Sequence, residues 1–415
     1  MKKLTVVDLF AGCGGLSLGL EQAGFQTIYV NELNNDAMES YLINRDSENP
    51  YLRERFNSND VKSMIIDKKY IPNLSKDLQN TYKINVKDGD LDLLVGGPPC
   101  QGYSGIGHRR SYSVNKEQIP SNFLYQDMTY LISKLNPKIF LFENVRGLLS
   151  SRWNNSGEKG EIWNDVLYTF SSLKNYHTSW KLVKAKDYGV PQNRPRILLV
   201  GIRKDIKLNN NLSRTAAGFL PDPSGTPPDP VDIFSDLIDP NYTNKISNEK
   251  YLKDPRSDYQ IYLRTKNKVI YKKGYELTEQ EYSNHSEHII KKFQFMIENN
   301  GQIPKEMKTK KFAQRLIPKR WDENGPNITA TSLPDDYVHY AQPRILTVRE
   351  WARLQMFPDW YRFAGKRTTG GSRRAGNPRD NNFDRELPKY TQIGNAVPVG
   401  LAKKIGEHFI NILNN

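Results

Sequence analysis

The sequence predicts an α/β fold in which a doubly wound, mostly parallel sheet is joined to a smaller, irregular second domain. Two observations lead to this prediction. Over the first 205 residues, short apolar segments alternate with helical ones, and strands that alternate with helices form parallel sheets covered on both faces. Near residue 206 the chain becomes rich in Pro and then in polar residues. We therefore expect one domain over residues 1–205 plus 388–415 and a second over residues 206–387.

The elements of the sheet domain follow from apolar runs and helix-end signals. A first helix follows the turn 11–15, and Gly24 is its natural C-cap. A second helix has capping residues at Asn34 to Asp36. The segments predicted as strands are 4–10, 27–31, 91–95, 138–142 and 196–200, with further helices near 123–135 and 161–174.

Two helices are predicted near the end of the chain. Thr347 and Glu350 have the spacing of a capping box. The helix that they open is expected to run through Phe357 and to stop at Pro358. The last helix is amphipathic, because one face carries Leu401, Ile405, Phe409 and Ile412.

Positive charge is concentrated in the later part of the chain. The 415 residues carry a formal charge of +14, but residues 1–100 contribute −3 and residues 101–415 contribute +17. A basic excess of this kind is typical of a surface that binds a polyanion. Composition alone does not distinguish that interpretation from charge that serves only solubility.

Composition also excludes several classes of protein. Two cysteines are too few for a disulfide scaffold or a Cys-rich metal site, and the six histidines are scattered. No apolar run approaches the roughly 20 residues of a membrane span. Asp8 interrupts the apolar run that follows Lys2 and Lys3, so this run predicts a strand and not an export signal. We expect a cytosolic protein without a metal ion.

A glycine-rich turn, Ala11-Gly-Cys-Gly-Gly15, joins the first predicted strand to the first helix. Glycines there allow a ligand to approach backbone N–H groups at a helix N-terminus. Glu32 ends the second strand, where a carboxylate can hydrogen-bond ribose hydroxyls. The pattern favours a nucleotide-like cofactor, although the spacing is not G-x-G-x-x-G and an ordinary turn remains the alternative.

Cys100 follows the predicted strand that ends at Val95, in the segment Gly96-Gly-Pro-Pro-Cys-Gln-Gly-Tyr-Ser104. That position lies at the carboxyl edge of a parallel sheet, where active sites form. A lone cysteine is more often a small buried hydrophobic residue. Its Pro, Gln, Gly and Ser neighbours are poor core residues, so we favour an exposed nucleophile.

Glu143 ends the strand that begins at Lys138, which puts its carboxylate on the same edge as Cys100. A surface glutamate is the alternative, since most glutamates are exposed. Arg194 and Arg196 precede the fifth strand, and alternation directs both side chains to one side. Such a pair suits a planar or anionic ligand, although a surface ion pair would use the same residues.

Six segments occur in a characteristic order: DLFAGCGGLSLGL, GGPPCQGYS, ENVRGL, QNRPRILLVGIR, RILTVREWARLQMFPDW and QIGNAVPVGLA. Together they closely resemble the DNA (cytosine-5) methyltransferase family in its compact, prokaryotic restriction–modification form. The resemblance runs from Asp8 to about Ala402, with a gap between 206 and 326. It implies a Rossmann-like domain that binds S-adenosyl-L-methionine and a target-recognition domain that binds DNA.

The resemblance assigns the S-adenosylmethionine pocket to the glycine turn, the following strand ends and the C-terminal motif. The resemblance implies that the reaction uses no metal ion and that it converts S-adenosyl-L-methionine to S-adenosyl-L-homocysteine. Leu33 stands where the family often has an aromatic residue, so an apolar wall replaces a stacking ring. The implied pocket residues are Phe10, Ala11, Gly12, Gly14, Gly15, Glu32, Leu33, Asp60, Val61, Pro98, Leu124, Asn395, Ala396 and Val397.

The resemblance also implies the catalytic roles. Cys100 is the nucleophile that adds to C6 of cytosine, which makes C5 carbanion-like and able to attack the methyl group. Glu143 acts at N3 and offsets the charge that builds during this addition. Arg196, with Arg194 beside it, contacts the target base, whereas Cys13 has no role as a nucleophile. The base must leave the duplex to be reached.

The implied partner is double-stranded DNA, with a possible cognate restriction endonuclease that acts on the same site; the protein would work as a monomer. A target-recognition domain fits the variable residues 206–345, and a second DNA-facing loop fits residues 361–379. Two alternatives remain: a methyltransferase for cytosine in tRNA, and a non-catalytic DNA-binding subunit on the same scaffold. The basic residues expected to face DNA are Lys305, Lys308, Lys310, Lys311, Arg315, Lys319 and Arg320, for which a solvated charged helix is the simpler interpretation.

Overall fold

A seven-stranded sheet forms the centre of the protein. The computed structural model describes residues 3–99, 120–154, 156–208, 216–243, 247–308, 314–321, 336–369 and 386–414. In chain order the strands are β1 (Leu4–Leu9), β2 (Phe25–Asn31), β3 (Asn57–Ser58), β4 (Leu93–Gly96), β5 (Ile139–Val145), β6 (Tyr176–Lys184) and β7 (Pro195–Arg203).

The strands lie side by side in the order β3-β2-β1-β4-β5-β7-β6. The first five strands in this order are parallel to one another, and β7 is antiparallel to both β5 and β6. The predicted mostly parallel sheet is therefore confirmed. Strand β6 was not predicted, because its sequence alternates polar and apolar residues and its side chains are only partly buried at the edge of the sheet.

Helices cover both faces of this sheet. All helices of the described residues, including those outside the sheet domain, are α1 (Gly15–Ala23), α2 (Asn35–Ile43), α3 (Tyr51–Glu54), α4 (Val61–Ile66), α5 (Tyr70–Tyr82), α6 (Leu124–Leu135), α7 (Glu161–Ser171), α8 (Ala216–Phe219), α9 (Pro230–Phe234), α10 (Asp258–Leu263), α11 (Glu287–Glu298), α12 (Val348–Leu354), α13 (Lys389–Asn395) and α14 (Val399–Leu413). Short 3-10 turns occupy residues 120–123, 146–150, 185–188 and 305–307.

Two separate apolar cores show that the sheet is doubly wound. On one face, Leu78, Met128 and Phe170 bring α5, α6 and α7 against the sheet. On the other, α1 and α14 pack together through a second cluster that includes Leu20. Residues of the predicted amphipathic face, namely Leu401, Ile405, Phe409 and Ile412, are all buried there.

Predicted helix ends are confirmed at three places. The Asn34 side chain accepts a hydrogen bond from the Ala37 N–H and caps α2, and Gly24, with φ 125°, ends α1. The capping box at the start of α12 is complete, because the side chains of Thr347 and Glu350 each accept from the other residue's backbone N–H. Helix α12 ends at Leu354 and not at Phe357, because Met356 adopts a positive φ of 63°.

The remaining residues form small elements around α12. Two short strand pairs supplement the helices: an antiparallel hairpin of β8 (Thr265–Lys266) with β9 (Val269–Ile270), and a parallel pair of β10 (Arg315–Leu316) with β11 (Tyr337–Val338). A third apolar core joins this region to the start of α1, since it contains Cys13 and Leu18 together with Trp351 and Phe357.

Buried ion pairs fix α12 within this region. Arg353 binds Asp236 and Asp359, with N–O separations of 2.6 Å to each, and all three side chains are fully buried. Arg344 lies 2.7 Å from Glu350 in the same way. Because removing one partner of such a pair strands a buried charge, at a cost of about 3–5 kcal/mol, α12 is held firmly against residues 230–263.

Candidate active site and cofactor pocket

The carboxyl ends of β1, β2, β4 and β5 meet at one edge of the sheet, which we call the catalytic edge. Strand β7 reaches this edge with its first residues, because it runs antiparallel to β5 and pairs Arg196 with Val145. The 3-10 turn and loop between β6 and β7 therefore also lie at the catalytic edge. This arrangement brings together two segments that the sequence had predicted separately, one ending at Glu143 and one containing Arg196.

Glu143 and Arg196 form an ion pair at the catalytic edge. Nε of Arg196 lies 2.6 Å from Oε1 of Glu143, and the two side chains are 9% and 11% exposed, respectively. The guanidinium also donates to the carbonyl oxygen of Pro195 at 2.8 Å. A nearly buried acid beside a nearly buried arginine offers a fixed set of donors and acceptors to a planar polar ligand.

The segment that leads to Cys100 packs directly against this pair. A Cβ atom at Gly97 would lie 2.8 Å from Oε2 of Glu143, so only glycine leaves room for the carboxylate. The Asn144 side chain donates to the carbonyl oxygen of Pro98 at 3.2 Å. Pro98 is buried, and Cys100 itself lies outside the described residues. The last described residues before Cys100 are thus held by the two residues at the end of β5.

Glu32 closes the glycine turn. Its two carboxylate oxygens accept backbone hydrogen bonds, Oε2 from Gly12 and Oε1 from Asn34, each at 2.8 Å. Burial raises the pKa of Glu32, and these two N–H donors oppose the shift. The side chain that the sequence predicts as a ribose acceptor is therefore already oriented, at the end of β2 beside the start of α1.

The two glycines of the turn differ in what surrounds them. Gly12 has φ 57°, and a Cβ there would meet no atom within 4 Å, so the turn is open on that side. At Gly15 a Cβ would lie only 2.4 Å from the carbonyl oxygen of Val397. The C-terminal motif therefore folds onto one side of the turn and leaves the other side accessible to a ligand.

The other predicted pocket residues occupy varied positions. Leu33 is 72% exposed, as an apolar side chain next to Glu32. The exposed Asp60 caps α4 by accepting from the Lys62 N–H at 2.9 Å, whereas Val61 is in the core. Partly buried positions are Phe10, Ala11 and Leu124; Gly14, Ala396 and Val397 are buried, and Asn395 is exposed.

Arg194 has contacts that the sequence did not predict. It is 1% exposed, and its Nη2 donates to the carbonyl oxygens of Gly394 at 2.6 Å and Asn395 at 3.2 Å. Burial lowers the pKa of Arg194, and repulsion from Arg196 adds to the shift. The side chain thus ties the start of β7 to the C-terminal motif, and contact with a target base remains a prediction for it.

Two glutamines extend the same link. Gln192 donates through Nε2 to the Leu354 carbonyl at 3.1 Å and to Oε1 of Gln355. Gln355 in turn donates to the Ile393 carbonyl at 2.7 Å. The motif QNRPR therefore contacts both the end of α12 and the end of α13. No sequence pattern predicts these roles, because hydrogen bonds between segments 160–200 residues apart produce no periodicity in the sequence.

Cys13 is not available as a nucleophile. It is 1% exposed, and burial raises the pKa of its thiol to about 12, so it stays protonated near neutral pH. Its carbonyl oxygen accepts a hydrogen bond from the Tyr361 hydroxyl at 2.5 Å, and its Sγ lies 3.5 Å from the Gln392 carbonyl. Cys13 therefore has a structural role, as a buried residue that packs within the glycine turn.

A buried polar network lies beneath the turn. Asp8 accepts a hydrogen bond from Ser17, whose hydroxyl oxygen in turn accepts from the Tyr41 hydroxyl at 2.7 Å. Burial raises the pKa of Asp8 to about 7, with the Ser17 bond and the Arg45 charge opposing the shift. Arg45 is paired with Glu21 at 2.8 Å.

Several residues of the predicted DNA-facing run are at the surface. The Arg320 side chain is 89% exposed, and the guanidinium of Arg315 stacks over Tyr337. Lys305, Lys308 and Lys319 are exposed. Lys310 and Lys311, like most of the segment 361–379, lie outside the described residues.

The described residues contain no group of three or more His, Cys, Asp or Glu side chains placed to hold a metal ion. Over the same residues, no helix is long and apolar enough to cross a membrane.

Comparisons with known proteins show the family to which this chain belongs. The sequence model of the C-5 cytosine-specific DNA methylase family matches residues 4–411. The Type II methyltransferase M.DdeI of Desulfomicrobium norvegicum is 29% identical over 448 residues, covering 99% of this chain and 91% of that protein. The Type II methyltransferase M.BsuRI of Bacillus subtilis is 30% identical over 433 residues, covering 99% and 80%.

A solved structure is similar in fold along the whole chain. It is a candidate DNA modification methyltransferase encoded within an E. coli prophage, with a TM-score of 0.67, 24% identity, and coverage of 99% of this chain and 100% of that one. The similarity in fold agrees with the sheet order and helix layers described above.

Proposed function

This chain belongs to the C-5 cytosine-specific DNA methylase family and is a DNA (cytosine-5) methyltransferase; from this premise we propose how its residues divide the work. Glu143 and Arg196 hold the target cytosine, Cys100 attacks it, and the glycine turn with Glu32 holds S-adenosylmethionine. The observation that supports this division most directly is the 2.6 Å Glu143–Arg196 pair beside Gly97, three residues before Cys100.

The residues of the cofactor pocket fit S-adenosylmethionine. Gly12 leaves open space next to backbone N–H groups at the start of α1, and the Glu32 carboxylate is oriented beside it. Leu33 provides an apolar surface at the same place. When bound, S-adenosylmethionine supplies an electrophilic methyl group. The C-terminal motif, held by Arg194 and packed on Gly15, closes the pocket on the other side.

The chain's own residues make cytosine reactive toward that group. The Cys100 thiolate forms a bond to C6, and the π electron pair of the C5–C6 double bond moves to C5, with part of the negative charge delocalised through C4 to N3; C5 can then bond to the methyl group as S-adenosylhomocysteine leaves. Glu143 stabilises this charge through N3, and Arg196 offers N–H donors to the polar edge of the base. After C5 gains the methyl group, loss of the C5 proton to a base restores the double bond and expels the thiolate.

A cytosine analogue tests the covalent step. Fluorine at C5 cannot leave as a cation, so a duplex that carries 5-fluorocytosine at the target should remain covalently attached to Cys100 after methyl transfer. We expect an adduct that survives denaturation with the native protein and none with Cys100→Ala, which should still bind duplex DNA. Methyl transfer by the Cys100→Ala protein would disprove the assigned nucleophile.

Residues 206–387 are proposed as the target-recognition domain, and residues 1–205 with 388–415 as the catalytic domain. The exposed Lys305, Lys308 and Lys319 support phosphate contacts by the first of these. Methylation of tRNA is not favoured, because the matching family is described as a DNA methylase and the similar curated proteins are Type II methyltransferases. Comparing incorporation of labelled methyl groups into duplex DNA and tRNA decides between the two: label in tRNA alone would contradict the proposal.

A role in restriction–modification is supported by the similar Type II methyltransferases. We propose that the chain acts as a monomer in the bacterial cytoplasm and protects the site of a cognate endonuclease. Bisulfite sequencing of DNA from cells that express the protein will identify the methylated sequence. If the proposal is right, DNA methylated in this way resists an endonuclease specific for that sequence.

A further inference from the structure

A basic hairpin projects from the region between α10 and α11. Its two short strands, β8 and β9, are joined by Asn267 and Lys268, which both have positive φ, at 49° and 67°. Two consecutive residues of this kind form a tight type I′ turn, which gives the hairpin a fixed shape. We call the exposed surface formed by residues 266–275 the hairpin surface.

The hairpin surface carries unbalanced positive charge. Four lysines, Lys266, Lys268, Lys272 and Lys273, occur between residues 264 and 275, and that stretch contains no acidic residue. Lys268, Lys272 and Lys273 are exposed, and no ion pair involves their amines in the part of the chain that the structure describes. The nearest acid along the chain, Glu276, is paired with Arg362 at 2.9 Å. The nearby Asp254 carboxylate accepts from the Lys273 backbone N–H at 2.8 Å, so one acid without an ion pair among the described residues lies beside the four lysines.

Aromatic rings accompany these lysines. Tyr271 and Tyr275 stack with centroids 5.2 Å apart, and Tyr275 is 46% exposed. The Lys266 amine lies over the ring of Trp360, whose Nε1 donates to the Thr265 carbonyl at 3.1 Å. Lysines next to partly exposed, rigidly held aromatic rings are typical of surfaces that bind nucleic acids.

The position of the hairpin separates it from the catalytic edge. Helix α1 starts at that edge, and Tyr262, just before β8, donates to the side chain of Gln22 near the other end of α1 at 2.7 Å. Gln22 is seven positions after Gly15 in α1, which places the two about 10 Å apart along the helix axis. Arg362 likewise contacts Asn44, the residue that ends α2, with its N–H 2.9 Å from Oδ1. The hairpin surface is therefore anchored beside the far ends of two helices that begin at the active site.

We propose that the hairpin surface binds the phosphate backbone of a second segment of duplex DNA while the catalytic edge holds the target segment. The occupant follows from charge complementarity and from the substrate itself, because DNA is a long polyanion that brings many further phosphates near any bound enzyme. The proposal rests on DNA as the substrate and goes beyond the assignment of the target cleft. Its consequence is that one protein molecule can hold two duplexes at once.

A bridging experiment tests this. One duplex containing the methylation site is immobilised, and retention of a second, fluorescent duplex by the protein is measured against salt concentration. The variant combines Lys268→Ala, Lys272→Ala and Lys273→Ala. The matched control combines Lys68→Ala, Lys69→Ala and Lys87→Ala, which removes the same charge from exposed lysines of the sheet domain. A second variant, Lys272→Glu with Lys273→Glu, leaves the turn residues in place.

We expect the native protein and the control to retain the second duplex, and both hairpin variants to lose at least tenfold in retention. The slope of log retention against log salt concentration should become shallower by about 3 for the triple variant, because each lost phosphate contact contributes about 0.9. Methylation of a single duplex of about 20 base pairs should stay within twofold of native, since the hairpin surface is anchored beside the end of α1 that lies away from the catalytic edge.

Three results would overturn the proposal. Unchanged bridging by both hairpin variants would remove the surface from DNA binding. Equal loss of bridging and of short-duplex methylation would place the lysines in the target cleft or in the fold. Displacement of the second duplex by single-stranded RNA at lower concentration than by duplex DNA would show that RNA is the preferred partner.

Discussion

Nη2 of Arg194 donates to the carbonyl oxygen of Gly394 at 2.6 Å, across 200 residues of sequence. The same guanidinium reaches the Asn395 carbonyl, and Asn395 precedes the two residues that pack on the glycine turn. Arg196, two residues away, instead pairs with Glu143. Arg194, just before β7, and Arg196, within it, thus hold two different segments, the C-terminal motif and the end of β5, where we propose the cofactor and the base to bind.

Replacing Arg194 should therefore weaken cofactor binding. In Arg194→Met the two carbonyls lose a charged donor, and a hydrogen bond to a charged group contributes about 1.5–3 kcal/mol. We expect the dissociation constant for S-adenosylhomocysteine to rise roughly 10- to 100-fold by isothermal calorimetry. Arg196→Met is the matched control and should lower kcat with little effect on this constant. Equal affinities for Arg194→Met and native protein would contradict the link.

Replacing Glu143 by Gln should slow chemistry and leave cofactor binding intact. Gln keeps the shape of the side chain next to Gly97 but cannot supply a proton or a full charge at N3. Positioned acid–base groups contribute about 10²- to 10⁴-fold to rates. Single-turnover methylation of a duplex should fall within that range, and S-adenosylhomocysteine affinity should change less than twofold. Native turnover in Glu143→Gln would remove its assigned role.

A methyl group at Gly12 should block the ligand side of the turn. Gly12 and Gly274 form a matched pair, because both have positive φ, at 57° and 89°, and neither has an atom within 4 Å of a Cβ. Alanine at either site should lower the free energy of unfolding by about 1–2 kcal/mol through backbone strain. Only Gly12→Ala should also weaken S-adenosylhomocysteine binding, by tenfold or more. If both variants bind like the native protein, the open side of the turn is not the pocket.

Asp8 should make stability fall as pH rises. Its pKa is raised by burial to about 7, from 3.8, so between those values the folded state holds a proton that the unfolded state has released. Stability from this group is complete below about pH 4 and is lost progressively up to about pH 7, by at most roughly 4 kcal/mol.

Asp8→Asn removes this titration and retains an acceptor for Ser17. Urea unfolding at pH 5 and pH 8 should show the variant gaining more than about 1 kcal/mol relative to native on going to the higher pH. Asp88→Asn, at an exposed site, is the control and should show no such gain. A constant difference between Asp8→Asn and native protein at both pH values would contradict the buried, protonated state.

Local signals in the sequence predicted much of the fold. The sheet strands 4–10 and 138–142, the Gly24 and Asn34 caps, and the capping box at Thr347 all depend on neighbouring residues, and all are observed within a few positions. The sequence did not reveal that β7 runs antiparallel or that β6 exists. Strand direction depends on which partner a strand finds, and a partly exposed edge strand has only a weak apolar pattern.

The site shows the same division between local and long-range information. The motif order identified the family, but the meeting of Glu143 and Arg196 depends on the antiparallel direction of β7, which the sequence did not reveal. The contacts of Arg194 with Gly394, and of Gln192 with Gln355, arise only when distant segments meet. Single-residue patterns carry no information about such pairs, so the sequence did not predict the connection of Arg194 to the C-terminal motif, and its contact with the target base stays a prediction.

The reversed direction of β7 also determines where the chain can change length. Insertions between α7 and β6, or after β7, fall at the edge of the sheet opposite Arg196. Such insertions would extend surface loops without moving Arg194 or Arg196. The ten residues between β6 and β7 should not tolerate insertions, because they connect the two strands at the edge where the base is proposed to bind. Grafting of new segments onto this enzyme should therefore succeed at residues 172–175 and fail at residues 185–194.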